Sequence, residues 1–568
     1  MRPSHRTSLR RIREVGTGSW DGVVLGALLI GLLLASRVPR AEAGAPLGTR
    51  AVASESELAA AEALNQMKAG GNAIDAAIAA TFMAGVTSPT SSGIGGGGFA
   101  LLWLAAERRA ALIDFRETAP RGIQPRAFEG RPFDPAHRGQ LVGVPGEVSG
   151  LWELHRRLGR RRWQQVVLPA ARRARRGYPV GRHLGSTLAS VQTRLPTDTA
   201  LQRVFYPRGA PAPVGGLIRN PALATTLERI AAEGPRAFYE GAVAASIVAS
   251  VRGAGGAMTK ADLAGYQPVV RDPLVVHWEG FDVYTMPPPS AGGLMLAQTL
   301  GMLGREELRQ LDPAKGAYPH LLAEAMRGAI ADRMRYLGDP DLEPIDLPRL
   351  IDPQRLARRR ASIRLDRTQP LPSFGLEEAG THHLVTADAA GNLVSLTTTI
   401  NRAFGARITA GGTGVLLNDE LGDFTTLAEV SAFGMNQSPN RPRPGARPVS
   451  SMTPTIVLRD GRGVLALGGS GGTAIATNVT QVLLARLALD TEPDRAVTQP
   501  RVYVPTRGDD TLWLDPGAPR ALVADLTARG EVVGTTPFVS SAVQLIAIEQ
   551  GRYLPVADPR KYGAVGVE

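Results

Sequence analysis

A chain of 568 residues is longer than one hydrophobic core comfortably serves, so a large layered fold or two packed domains is expected. It contains no cysteine, which excludes disulfides, a lipid-modified cysteine and a thiol nucleophile. The formal charge of +12 raises nucleic acid or a membrane surface as partners, but the densest basic run, Arg156 to Arg176, has no nucleic-acid motif and no ladder of stacking aromatics; it reads as a solvated face, and no nucleic-acid partner is expected.

In chain order, Arg2, Arg6, Arg10, Arg11 and Arg13 precede an apolar run over 23–35, and Ala41-Glu42-Ala43 follows. That is the layout of a secretory signal peptide over 1–43. The run is short for a membrane span, which needs about 20 residues, so an uncleaved N-terminal anchor is the alternative. The chain is therefore expected to be exported, periplasmic or extracellular, or else anchored by this segment. Ser54 and Glu57 offer a capping box for a helix bearing Leu58, Ala61, Leu64 and Met67, stopped by Gly70-Gly71. A second apolar helix spans 73–86. The run Gly93-Ile94-Gly95-Gly96-Gly97-Gly98 precedes a strand and lacks a following Gly-Lys-Ser/Thr, so close backbone packing explains it better than phosphate binding. Paired strands are expected over 99–104 and 110–115.

Residues 147–350 are mostly helical in pattern, for example 319–336, interrupted by a strand-like 274–285 and a rigid turn over 287–293. Residues 363–380 have no sustained period and several Pro and Gly, as befits an exposed linker where processing can occur. Strand patterns then dominate. One hairpin joins 384–387 to 392–400 through Asp388-Ala389-Ala390-Gly391; another joins 455–458 to 464–467 around Asp460-Gly461. The second runs into Gly468-Gly469-Ser470-Gly471-Gly472 and a helix bearing Ile475, Val479, Val482, Leu483 and Leu487. There is no internal repeat and no linker dividing independent domains, so one layered fold is expected.

The junction Gly380-Thr381 carries the chemistry. Cut there, the chain would present Thr381 as a hydroxyl nucleophile with its own α-amine as base. Taken alone, Thr381 reads more readily as the opening of a strand, so the context decides. The context includes Thr381-His382-His383, Thr397-Thr398-Thr399-Ile400-Asn401, Asn418-Asp419-Glu420, Asp423-Phe424, Ser450-Ser451-Met452-Thr453-Pro454 and Gly471-Gly472. These blocks resemble the small subunit of a γ-glutamyltransferase. Asn72-Ala73-Ile74-Asp75, Gly93 to Phe99, Asp114-Phe115-Arg116-Glu117, Val144-Pro145-Gly146, Pro288-Pro289-Ser290-Ala291-Gly292-Gly293, Tyr336-Leu337-Gly338-Asp339-Pro340, Pro500-Arg501 and Asp558-Pro559-Arg560 extend the resemblance over nearly the whole mature chain.

The resemblance implies an α/β N-terminal-nucleophile hydrolase fold, a four-layer αββα sandwich. It would be made as one precursor that cuts itself between Gly380 and Thr381 into a large subunit, 44–380, and a small subunit, 381–568. Thr399 carries over as the hydroxyl that orients the nucleophile. Glutathione and other γ-glutamyl compounds are the implied donors, with water, amino acids or peptides as acceptors. Such a donor carries an α-carboxylate and an α-ammonium, so its site needs both signs of charge. Arg116, helped by Ser450 and Ser451, can grip the carboxylate; Asp423 and Glu420, with the Asn401 carbonyl, can receive the ammonium. The Gly471 and Gly472 amides, just before a helix, suit an oxyanion. His382-His383 has no further ligand at metal spacing, and no metal or cofactor is expected.

There are departures too: the family commonly has Thr where His382 stands and often Ser where Val385 stands. Residues 425–447 occupy the place of the family's lid and read as a loop; they contain no Tyr, and Phe433-Gly434 resembles its aromatic-Gly gate. Two other readings are a cephalosporin or glutaryl acylase of related build and a catalytically silent exported binding protein. Asp423 speaks against the acylase, since a glutaryl group has no ammonium.

Overall fold

The computed structural model describes residues 47–128, 135–194, 199–369, 380–504, 511–535 and 541–568. The signal-peptide reading and most of the linker over 363–380 lie outside them. Strands buried along their whole length need cover on both faces, and that requirement sets the architecture. Gly97–Leu104, His382–Ala387 and Leu393–Thr399 are buried at every position. They form the middle of a seven-stranded antiparallel sheet ordered Ala564–Val567, Ala51–Ser54, His382–Ala387, Leu393–Thr399, Gly97–Leu104, Arg109–Asp114, Val269–Arg271. A second antiparallel sheet runs Arg552–Val556, Ala542–Glu549, Arg462–Ser470, Thr455–Arg459, Phe281–Thr285, Leu274–Trp278.

Alternation along each strand divides the core. Leu384, Val394, Leu396, Ala100 and Leu102 share a core with the helices Ala73–Thr87 and Glu147–Leu158. Their neighbours Val385, Leu393, Phe99 and Leu101 instead join Val457, Leu465, Leu467 and Leu545 of the second sheet. Helices Gly292–Met302, Ala317–Tyr336 and Ala474–Leu487 contribute to the same core from beyond that sheet. The result is the four-layer αββα sandwich that the resemblance implies. Both hairpin turns form where expected, with Gly391 at φ +87° and Asp460 and Gly461 at +52° and +71°.

Some local expectations are corrected. Ser54 does not cap the first helix: it ends the strand Ala51–Ser54, which pairs on both sides, and Ser56 caps Glu57–Lys68 by accepting from the Ala59 amide. The strand-like stretch 274–285 is a hairpin of two strands, Leu274–Trp278 and Phe281–Thr285. The rigid turn is shorter than expected, because helix already begins at Gly292. Within 425–447 a short helix, Leu427–Ala432, is held by a Thr426 and Glu429 capping box. The arginines of 156–176 lie largely on solvent-facing positions of two helices, with Arg156 and Arg157 on Glu153 and Arg175 on Glu228.

Candidate active site

The register that pairs His382 with Thr398 and His383 with Thr397 sets Thr381 across from Thr399 at the sheet's end. The uncut Gly380–Thr381 peptide lies there. Its Gly380 carbonyl accepts two hydroxyls, from Thr381 Oγ1 at 2.8 Å and Thr399 Oγ1 at 2.9 Å. Thr399 Oγ1 in turn accepts from the Asn401 amide at 2.7 Å, which fixes the direction in which it donates. Gly380 has φ +118°, and a Cβ there would stand 2.1 Å from the Asn401 carbonyl oxygen, so only glycine fits before Thr381. The glycine run before the Gly97–Leu104 strand answers the same need: a Cβ on Gly95 or Gly96 would strike the carbonyl oxygens of Leu416 or Thr399. Asn418 completes this packing, donating to the carbonyls of Gly95 and Gly143 and accepting from the Glu420 amide.

One small pocket is lined by Thr381, Thr399, Asn401, Glu420, Asp423, Ser450, Ser451 and Gly472, with Met452 and Ile475 as apolar walls. Larger surface hollows, at Gln192 and Tyr206 and at Asp490 and Glu492, hold no comparable nucleophile. Arg116 is 1 % exposed, so its charge is met inside: it pairs with Glu420, with Asp423 at 2.6 Å, and donates through Nε to the Pro448 carbonyl. Asn401 uses Nδ2, not its carbonyl, toward Asp423 Oδ1 at 3.0 Å. Ser451 Oγ accepts from Arg333 at 2.6 Å, and Ser450 is held through its main chain by Pro289 and Ala291. Gly471 and Gly472, at φ +115° and +58°, turn the chain from the strand Arg462–Ser470 into the helix Ala474–Leu487. Among the described residues neither of their amides donates to a protein acceptor. Gly472 lines the pocket with Thr381, and unengaged N–H groups there suit an oxyanion.

A family model described as Gamma-glutamyltranspeptidase matches residues 59–567. The chain belongs to the gamma-glutamyltranspeptidase family. It is 35% identical to a glutathione hydrolase proenzyme of Bacillus subtilis, covering 96% of this chain and 98% of that one. It is 36% identical to a glutathione hydrolase proenzyme of Pseudomonas aeruginosa, covering 95% and 98%. Among solved structures, a cephalosporin acylase from Bacillus halodurans superposes with TM-score 0.83 at 26% identity, covering 94% and 98%.

The electrostatics of this family member centre on Arg116. Burial opposes its charge, but Glu420, Asp423 and Glu117 outweigh that and hold its pKa above the ordinary value. Burial raises the Glu420 pKa well above the usual carboxylate range, with Arg116 opposing and Glu117 and Asp423 adding to the rise. Glu117 is pushed up to about 8, burial again the largest cause, and neither of its carboxylate oxygens has a hydrogen-bond partner among the described residues. His382 and His383 are buried strand residues with pKa values pushed down to about 3, chiefly by burial. They hydrogen-bond Ser54 Oγ and Thr397 Oγ1 respectively. The one group of metal-ligand geometry among the described residues, His320, Glu324 and Glu531, already has both carboxylates paired with Arg327.

Sequence reasoning left Glu117, Arg333 and Lys561 without a role. Glu117 was visible in the same block as Arg116. Arg333 lies just before the Tyr336 block, and Lys561 directly follows Asp558-Pro559-Arg560.

Proposed function

We propose that the chain is an autoprocessing γ-glutamyltransferase and glutathione hydrolase acting through Thr381. The carrying observation is the convergence, around one pocket, of a Gly–Thr peptide whose carbonyl accepts two hydroxyls with a buried cluster holding one guanidinium and two carboxylates. In the precursor Thr381 Oγ1 attacks the Gly380 carbonyl carbon, the peptide C–N bond breaks, and water opens the resulting ester. The freed α-amine, with an ordinary pKa of about 7.7 to 8.0, then serves as base. Thr381 Oγ1 next attacks the donor's γ-carbonyl, Gly471 and Gly472 hold the oxyanion, and the leaving amine takes the proton. Water, an amino acid or a peptide resolves the γ-glutamyl ester. An amino-acid head group brings one charge of each sign, so it can part Arg116 from Glu420 and Asp423 without changing the buried charge balance. The Asn401 carbonyl is dropped from the ammonium site, since the amide end of that side chain faces Asp423.

An exported location, by way of 1–43, belongs to the same proposal and rests on sequence alone. Purified protein is expected to run as two fragments and to release amine from a γ-glutamyl anilide, while Thr381→Ala runs as one. A wild-type chain that stays intact and releases nothing would overturn the reading. The likeness to a cephalosporin acylase at TM-score 0.83 favours a second reading, side-chain deacylation. Turnover of a glutaryl amide above that of the γ-glutamyl amide would select it.

A further inference from the structure

Only four of the 64 Lys and Arg residues are lysines: Lys68, Lys260, Lys315 and Lys561. Three are exposed, and Lys561 alone is buried, at 4 % exposure. A chain that otherwise fills its basic positions with arginine has kept, at this one interior site, the compact ammonium that can point three donors in different directions. The ammonium makes two hydrogen bonds and one ion pair. Lys561 Nζ meets Ser470 Oγ at 2.6 Å, the Thr381 carbonyl oxygen at 3.4 Å and Glu55 Oε2 at 3.5 Å.

The partners matter by position. Thr381 is the proposed nucleophile, and Ser470 is the last residue of its strand, directly before Gly471 and Gly472. Glu55 Oε1 accepts from the amide of His383, two residues past the nucleophile. Thr399 holds Thr381 from the side of the Gly380 carbonyl; Lys561 holds it from the side of its own carbonyl.

We propose that Lys561 is a positioning residue, clamping the Thr381 carbonyl to Ser470 so that the nucleophile and the Gly471 and Gly472 amides keep one fixed separation. The inference rests on Thr381 being the nucleophile. Thr399 holds the Gly380 carbonyl, while Lys561 sets where the whole of Thr381 stands relative to the oxyanion donors. A displacement of about 1 Å at such a point costs on the order of 100-fold in rate.

The test uses the full-length chain. Lys561→Met keeps the stem and removes the ammonium. Precursor self-cleavage should slow by about 10- to 100-fold, and any processed enzyme should lose kcat by a similar factor with KM changed less than about twofold. Because Lys561→Met strands Glu55, the double variant Glu55→Gln/Lys561→Met removes both charges together and preserves the fold. Persistence of the loss in the double variant supports the clamp. Wild-type cleavage and kcat in Lys561→Met, or recovery of both in the double variant, would overturn it, the latter by showing that Lys561 only neutralises Glu55. Thr381→Ala run alongside separates the two ideas. If it still cleaves, the nucleophile assignment fails; if it is inert while Lys561→Met is normal, only the clamp fails.

Discussion

Thr399 makes two short hydrogen bonds in opposite senses, accepting from the Asn401 amide and donating to the Gly380 carbonyl. In the proposed cleavage Thr381 attacks that carbonyl and its oxygen becomes the oxyanion, so the Thr399 bond would strengthen as charge develops. Removing one such donor costs about 100- to 1,000-fold in other hydrolases. Thr399→Ala is therefore expected to slow precursor cleavage by roughly that factor, and Thr399→Ser, which keeps the hydroxyl, to stay within about tenfold of wild type, both followed by appearance of the two fragments over time. Glu117 carries a pH signature. Its pKa is higher folded than unfolded, so its contribution to stability is greatest at low pH and is lost as pH rises from the ordinary carboxylate range through about 8. In melting curves over that interval, Glu117→Gln should lack this alkaline decline and gain on wild type as pH rises; curves that stay parallel would contradict the assignment.

Among the elements, the long helix Ala317–Tyr336 does more than cover the second sheet. Its His320 and Arg327 pair with Glu531, Arg327 also pairs with Glu324, and Glu324 Oε1 accepts from Thr368 Oγ1 and the Gln369 amide at 3.0 Å each. The described start of the linker is thus tied down. Burial opposes charge on His320, but its bonds to Glu531 and the Arg364 carbonyl win and raise its pKa; burial opposes ionised Glu531, but His320 and Arg327 win and lower its pKa. The His320 contribution is full below the ordinary histidine value and lost as pH rises through the raised one. The Glu531 contribution is full above the ordinary carboxylate value and lost as pH falls through the lowered one. Glu531→Gln should lower stability by about 3 to 5 kcal/mol near neutral pH, as breaking a buried pair does, with the gap narrowing at strongly acid pH in denaturant titrations. Nothing at the level of sequence marked this anchor, because its members sit about two hundred residues apart. Hairpins whose turns carry their own signal, at Gly391 and at Asp460-Gly461, were legible, and so were pocket residues lying within motif blocks. Ser54 was misread as a cap because Ser54 and Ser56 are both good candidates locally. Only pairing with 382–387 and 564–567 decides between them. Lys561 was silent for the same reason: its contact with Thr381 spans 180 residues.

For the molecule as a whole, the proposed cut falls inside one sheet rather than between bodies. His382–Ala387 lies between Ala51–Ser54 and Leu393–Thr399, and the latter pairs with Gly97–Leu104, so strands from the two sides of the junction are interleaved. Fragments joined this way share one core and cannot part without exposing it. The processed protein should elute as a single species in native size exclusion and melt in one transition; two fragments separating without denaturant would refute the interleaving. The same layout governs timing during synthesis. Thr49 and Arg50 bond to Glu568 across 519 and 518 residues, and Ala51–Ser54 takes Ala564–Val567 as its outer partner. Contacts of such separation are the slowest to form. The sheet at whose end the Gly380–Thr381 peptide lies thus gains its outer strand only when residues 564–567 arrive, and a chain lacking them, however complete around residue 380, would hold that peptide in an unfinished scaffold.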